Sequence, residues 1–261
     1  MTAAAQQSSI SHRFDGEFLA AMELGWHDFI ATYRRSFLGP IWLPLQTLVF
    51  VIIITLVLGR SFENDSGLYA SYVALGLLAW ELISGALMEA PRLFAERAGL
   101  IKNIPMKLSL LAVRKLVYLL CRVAFIIPLV AIIVALFGKP VGWTALWALP
   151  AIPLLILSAY SVLTIAGFIG VYLRDFHFMM QTILRFLFFM TPIFWYGDHG
   201  ARSIVARHNP FTYFIEVIRS PIMGTAPSTL AWCVVLTVTG VGLALSALIL
   251  ARFKRAIVFW L

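Results

Sequence analysis

Few side chains in this sequence are equipped for chemistry, and their spacing argues against catalysis. Of the five histidines, His12, His27, His177, His199 and His208, none lies within an apolar run with a plausible partner carboxylate, and they read as interfacial structural residues. Cys121 and Cys233 each sit in an apolar stretch with no His or Cys at ligand spacing, so they read as small buried hydrophobes rather than as a disulfide or metal pair. A GxxxxGKS/T phosphate loop is absent, which puts ATP hydrolysis by that route beyond this chain, and GxSxG, HExxH and CxxC are absent too. No catalytic residue, metal site or bound cofactor is therefore predicted. Well inside the apolar runs the ionisable residues are few: Glu81, Arg122 and Arg185. An ion-coupled carrier needs a relay of such groups near the membrane midplane, and a set this thin argues against one, as it does against intramembrane acid–base catalysis. Glu81 is expected to be embedded, with Arg122 and Arg185 reaching toward cytoplasmic headgroups.

The elements carrying these groups are made for lipid. Among 261 residues, 61% are hydrophobic and 12% charged, and the mean hydropathy is +0.92. Ordinary globular chains carry about 45–50% apolar and about 25% charged residues, so this composition excludes a disordered chain and argues strongly against a water-soluble enzyme. The formal charge of +8 raises a nucleic-acid reading. That reading fails because the basic residues fall in short gaps between apolar runs, where membrane topology puts them. The first 40 residues interleave Asp15, Glu17, Glu23 and Asp28 with apolar positions, so no cleavable signal peptide is expected.

A spanning helix needs about 20 apolar residues, and six stretches qualify. They are Ile41–Leu58, Tyr69–Leu87, Val113–Phe137, Trp143–Tyr172, Phe176–Tyr196 and Thr229–Ala251. Pro128 should bend the third, and Pro150 and Pro153 predict either a short turn before the fourth, with the true span from about Leu154, or a kink. With Arg122 and Arg185 set aside, one side holds 13 basic residues, from Arg13, Arg34 and Arg35 through the Arg92–Lys115 group and Arg174 to Arg252, Lys254 and Arg255. The other holds five, Arg60, Lys139, Arg202, Arg207 and Arg219, which places both termini in the cytoplasm. The expected fold is an all-α, multi-pass integral membrane protein with one domain over residues 1–261.

Three hydrophilic segments add detail. Over residues 10–38, Phe14, Phe18, Met22, Trp26, Phe29, Tyr33 and Phe37 fall within an arc of roughly 140° at helical spacing. This predicts a cytoplasmic amphipathic helix, lying in the interface with Arg34 and Arg35 near lipid phosphates, or else packed on the bundle. Residues 89–111 form the longest cytoplasmic loop, where a short helix exposing Leu93, Phe94, Leu100 and Ile101 would be a docking surface, the alternative being a solvated loop. Between 191 and 228, Pro192, Pro210, Pro221 and Pro227 interrupt a stretch too apolar for an ordinary external loop. Asn209-Pro210 predicts a helix start, Glu216 and Arg219 can pair at i,i+3, and the whole predicts a re-entrant hairpin near the outer face.

In this order of parts the chain resembles the permease subunit of type-2 ABC exporters. The stretch YRRSFLGPIW at Tyr33–Trp42 is similar to that family's lead into its first span, LIKNIPMKLSLL at Leu100–Leu111 to its segment after the coupling helix, and NPFTYFIEVIR at Asn209–Arg219 to its Asn-Pro, aromatic, Glu, Arg pattern before the last span. Met106-Lys107 departs from the family's usual residues after Pro105. Within the family the sequence looks most like exporters of polysaccharides such as O antigen, capsule or teichoic acid.

The resemblance implies a homodimer in the bacterial inner membrane, two copies of a separate nucleotide-binding ATPase that binds ATP and Mg, and a lipid-linked glycan as substrate. It makes Arg92, Leu93, Phe94, Leu100 and Lys102 candidates for ATPase docking, and Arg34 and Arg35 candidates for drawing the anionic lipid head to a cytoplasmic entrance. Sugar rings rest their C–H faces on aromatic side chains, and a sliding polymer needs weak contacts tolerant of register. Of the 20 Phe, 8 Trp and 8 Tyr, the cluster of Phe186, Phe188, Phe189, Phe194, Trp195 and Tyr196 is therefore the candidate pore lining or gate. Export of a small hydrophobic compound, and a membrane-embedded enzyme acting on lipid-linked sugars, remain the alternatives.

Overall fold

The computed structural model describes residues 3–59, 66–103, 107–196 and 200–253, and every regular element among them is helical. Helix α1 (Ala3–Tyr33) is followed by α2 (Trp42–Leu58), α3 (Ser66–Glu89), a short α4 (Ala98–Asn103), α5 (Leu108–Phe137), α6 (Ala148–Tyr172), α7 (Phe176–Met190), α8 (Gly200–His208), α9 (Pro210–Ile222) and α10 (Thr229–Phe253). Five of the helical stretches are long and apolar enough to cross a membrane, and they contain α2, α3, α5, α6 and α10. The expected span Phe176–Tyr196 differs. Its helix covers only the 15 residues of α7, because the chain leaves helical geometry at Thr191-Pro192. At 1.5 Å per residue α7 is about 22 Å long, short of a hydrocarbon core of about 30 Å.

Helix α3 occupies the centre, against α2, α5, α6, α7 and α9. Lipid tails give apolar helices no hydrophobic reason to associate, so small residues that permit close approach carry the packing. Val73, Ala74, Ala79 and Ala86 of α3 are buried, as are Ala151, Ala159 and Ala166 of α6. Between α6 and α10, Ser158 and Thr239 share a hydrogen bond of 2.6 Å. Helices α2 and α10, by contrast, leave Ile52, Ile53, Leu56, Leu236, Val241 and Leu248 uncovered, as faces meant for lipid or another apolar surface.

The prolines fall inside the expected helices, and the start of the fourth span is refined. Pro128 and Pro153 lie within α5 and α6, and the turn before the fourth span is a 3-10 helix at Trp143–Trp147, so α6 starts at Ala148 rather than near Leu154. Between α1 and α2 the Leu38-Gly39-Pro40 turn needs a residue at φ +56°, which only glycine adopts without strain.

Helix α1 lies along α5 through a narrower seam than the predicted arc. Ala21 and Phe29 are buried, whereas Phe18, Met22 and Trp26 are exposed and Phe37 is fully so. Phe29 meets Tyr118 and Phe125 of α5 at 6.4 and 5.2 Å between ring centroids. Charge fixes the register: Asp28 accepts from Arg114 twice at 2.6 Å and from Arg97 at 3.2 Å, and Glu17 accepts from Lys107 at 2.7 Å. Burial pushes the Asp28 carboxyl pKa up, but Arg114, Arg97 and Lys115 outweigh that and hold it below its ordinary 3.8.

Candidate functional site

Three regions converge on α3 and α7. The first is the non-helical stretch Thr191–Tyr196. Backbone polar groups away from water must find partners inside the protein, and here they find them on neighbouring helices. Tyr69 Oη donates to the carbonyl of Phe194 at 2.6 Å, Tyr72 Oη to those of Trp195 at 3.0 Å and Pro192 at 3.3 Å. Arg219 Nη1 donates to Pro192 O at 2.7 Å. The Arg219 guanidinium lies 3.6 Å from the Tyr72 ring centroid, and Tyr196 packs on the same ring at 4.3 Å. Asn209 joins this network to α9: its Oδ1 accepts from Phe211 N as a helix cap, and its Nδ2 donates to Thr191 Oγ1 at 2.8 Å.

The helix start at Asn209-Pro210 is thus as predicted, while the predicted Glu216–Arg219 pair is not formed. Glu216 Oε1 accepts instead from Ser228 N at 2.8 Å, tying α9 to the start of α10, and Arg219 turns inward, where a π face and a carbonyl replace a carboxylate. Pro221 does not interrupt α9, because it falls in the last turn.

The second region is an open groove of about 610 Å³ between α3, α5 and α7. Trp80, Glu81 and Ser84 of α3, Arg122 of α5, and Gln181, Arg185, Phe188 and Phe189 of α7 line it. Arg122 does not reach for headgroups. Its Nη2 lies 2.6 Å from Glu81 Oε1, so the two ionisable groups that the sequence left separate neutralise each other. No acid pairs with Arg185 among the described residues.

Part of the predicted aromatic cluster comes together beside this groove, with Phe188 and Phe189 in its lining. Phe188, Phe189 and Phe194 meet pairwise at 5.5 to 5.9 Å, and Phe188 touches Trp80 at 5.9 Å and Phe50 at 5.6 Å. Phe186 and Phe189 are 65% and 66% exposed, on the uncovered face of α7, while Phe194, Trp195 and Tyr196 are half-buried. The roles of Tyr69, Tyr72 and Arg219 are new. Their signal was the i,i+3 spacing of two tyrosines on a spanning helix, opposite an arginine in an apolar stretch.

The third region is the segment at residues 89–103. Leu93 and Phe94 were expected at its surface, but both are buried, with Phe94 against Phe168 of α6 at 5.0 Å. They anchor the segment rather than present it. Apolar side chains in a short loop gain more from an available helix groove than from water. Arg92, Glu96 and Lys102 are exposed and form the outward surface, beside a pocket of about 230 Å³ that also takes in Arg174, His177 and Phe178. Leu100 falls on α4 with its side chain outside the described residues. Arg34 and Arg35 follow the end of α1 and are exposed. Among the described residues no group of His, Cys, Asp and Glu is placed to hold a metal ion.

Comparison with known proteins places this geometry. Residues 20–223 match the family described as ABC-2 type transporter. The chain is similar to the O-antigen export system permease protein RfbA of Myxococcus xanthus, at 27% identity over 189 residues, covering 69% of this chain and 71% of the relative. It is also similar to the protein of the same name from Klebsiella pneumoniae, at 20% identity over 195 residues, covering 72% and 74% respectively.

Proposed function

Because the chain belongs to the ABC-2 type transporter family, we propose that it is the channel-forming subunit of an ATP-driven exporter that moves a lipid-linked polysaccharide of the O-antigen class across the bacterial inner membrane. It is a membrane permease subunit and not itself the ATPase. ATP and Mg bind a separate partner chain, which docks on the outward residues of the 89–103 segment, with Arg92 and Lys102 as contact residues. Both termini are cytoplasmic. Six crossings result if α7 and the Thr191–Tyr196 stretch are counted as the fifth, with α8 and α9 as a re-entrant hairpin at the outer face. Helix α1 rests in the cytoplasmic interface on its exposed Phe18, Met22 and Trp26, and Arg34 and Arg35 attract the lipid head.

One observation carries the channel reading: the uncovered face of α7. Phe178, Met179, Thr182, Arg185, Phe186, Phe189 and Met190 are all exposed in the single chain. A face of this kind suits lipid poorly, because a guanidinium within the membrane is costly unless it meets water or an anion. It suits a second copy of the chain with a polar passage between the two. Phe186, Phe189, Phe194, Trp195 and Tyr196 then line or gate that passage, and the polymer slides on aromatic platforms that hold each sugar weakly.

Conditional depletion of the chain in its host tests this reading. Lipid-linked glycan should accumulate on the inner leaflet and disappear from the cell surface. Unchanged surface glycan contradicts the substrate assignment.

A further inference from the structure

The groove at Trp80, Glu81, Arg122, Gln181 and Arg185 has a use that lining a passage does not account for. We infer that it is a binding site for a phosphate-type oxyanion carried by the permeating molecule, with Arg185 as the ligating cation and Glu81 holding Arg122 in reserve.

Its size is the first reason. About 610 Å³ falls within the range of about 300–1,000 Å³ usual for small-molecule sites, and it is far more than one side chain leaves by imperfect packing. Charge is the second. The groove contains one carboxylate and two guanidiniums, and Glu81 at 2.6 Å from Arg122 accounts for one pair. Arg185 is left without an acid among the described residues, in a helix where Phe186, Leu187, Phe188 and Phe189 follow it. A cation in such surroundings favours an anion far more strongly than it would in water.

The third reason is chemistry. Guanidinium presents a planar fork of N–H groups that matches the oxygens of phosphate two at a time. Gln181 lies one helical turn before Arg185 and also lines the groove, with its Nε2 already steadied by His177 Nε2 at 2.8 Å. Arg122 Nε is buried and has no hydrogen-bond partner among the described residues, so the second guanidinium has a donor to spare. Trp80, Phe188 and Phe189 supply the apolar walls on which a sugar ring or an isoprenoid tail beside the phosphate would lie.

This inference rests on the export reading for the origin of the ligand, and the phosphate could belong to the glycan or to its lipid linkage. The test is equilibrium binding to the purified full chain in nanodiscs of zwitterionic lipid, without any ATPase. Glucose 1-phosphate and farnesyl diphosphate are the probes, and glucose and farnesol the uncharged controls. At least one phosphate probe should bind, the controls should not, and R185Q should weaken binding by about tenfold or more, with R185K keeping most of it. Loss confined to glucose 1-phosphate assigns the phosphate to the glycan, and loss confined to farnesyl diphosphate assigns it to the lipid linkage. Arg185 is exposed, so R185Q should fold. E81Q should bind more tightly, because it releases Arg122. Failure of both probes to bind wild type, wild-type affinity in R185Q, or loss caused by R34Q and R35Q instead overturns the site. A chain that co-purifies with an ATPase and binds neither probe leaves the export reading standing without this site. Binding lost in R185Q from a chain that recruits no ATPase does the reverse.

Discussion

Replacing Gly170 by alanine should lift the segment at residues 89–103 off the bundle. A Cβ built on Gly170 would meet the Pro91 carbonyl oxygen at 2.1 Å, Pro91 Cα at 2.6 Å and Pro91 C at 2.7 Å. Ordinary contact begins at 3.4 Å, so Pro91 must retreat by more than an ångström, and as backbone it cannot rotate aside. Leu93 and Phe94, anchored a few residues on, would be drawn from their pockets. Overpacking costs typically about 1–3 kcal/mol, and a clash of backbone with a fixed helix belongs at the upper end. At about 1.4 kcal/mol per factor of ten, the ratio of docked to undocked segment should fall by about two orders of magnitude. Limited trypsin digestion in detergent reads this directly, since Arg92, Arg97 and Lys102 supply cleavage sites within the segment. Cleavage there should accelerate by tens of fold in G170A. In G99A it should match wild type, because Gly99 has open space around its missing Cβ. Equal digestion of the two variants would refute the wedge.

Other consequences follow from the same contacts. Y72F removes the hydroxyl that donates to two carbonyls of the Thr191–Tyr196 stretch and should lower thermal stability by about 1–3 kcal/mol, measured by unfolding in detergent; wild-type stability would mean that water can replace the tyrosine. The folded pKa of Asp28 is lowered, so its hold on Arg114 and Arg97 is complete above the ordinary 3.8 and is lost as pH falls through the depressed value. A nitroxide at Met22 should therefore gain mobility only in strong acid, and D28N should show that mobility already at neutral pH. Charge reversal of the outward residues, R92E with K102E, should reduce ATPase co-purification by about tenfold while leaving the chain membrane-inserted; undiminished recovery would move the docking surface elsewhere.

Much of the fold was legible because hydropathy reports the solvent. Ile41–Leu58 and Thr229–Ala251 correspond to α2 and α10 within two residues, and the Asn209 cap starts α9 where expected. Helix α5 begins at Leu108 rather than Val113 because a helix can leave the lipid before it ends, and its cap residue Lys107 and its second turn at Arg114 carry the polar contacts to α1. Partner choice was harder to read. Hydrophobic residues in a charged loop look alike whether they face a partner or, like Phe94, the chain's own core. Small residues such as Ala21 leave no mark on an amphipathic arc, although they set where α1 crosses α5. Arg219 had an acid one turn away in sequence, yet it chose an aromatic face and a carbonyl, because the helix buried it on the side away from solvent.

The most direct test of the central claim is a pull-down of a tagged copy of the chain from detergent-solubilised host membranes, with the co-purifying proteins identified by mass spectrometry. A near-stoichiometric partner carrying a phosphate-loop ATPase motif is the predicted result. Robust recovery of the chain with no ATPase would contradict the account.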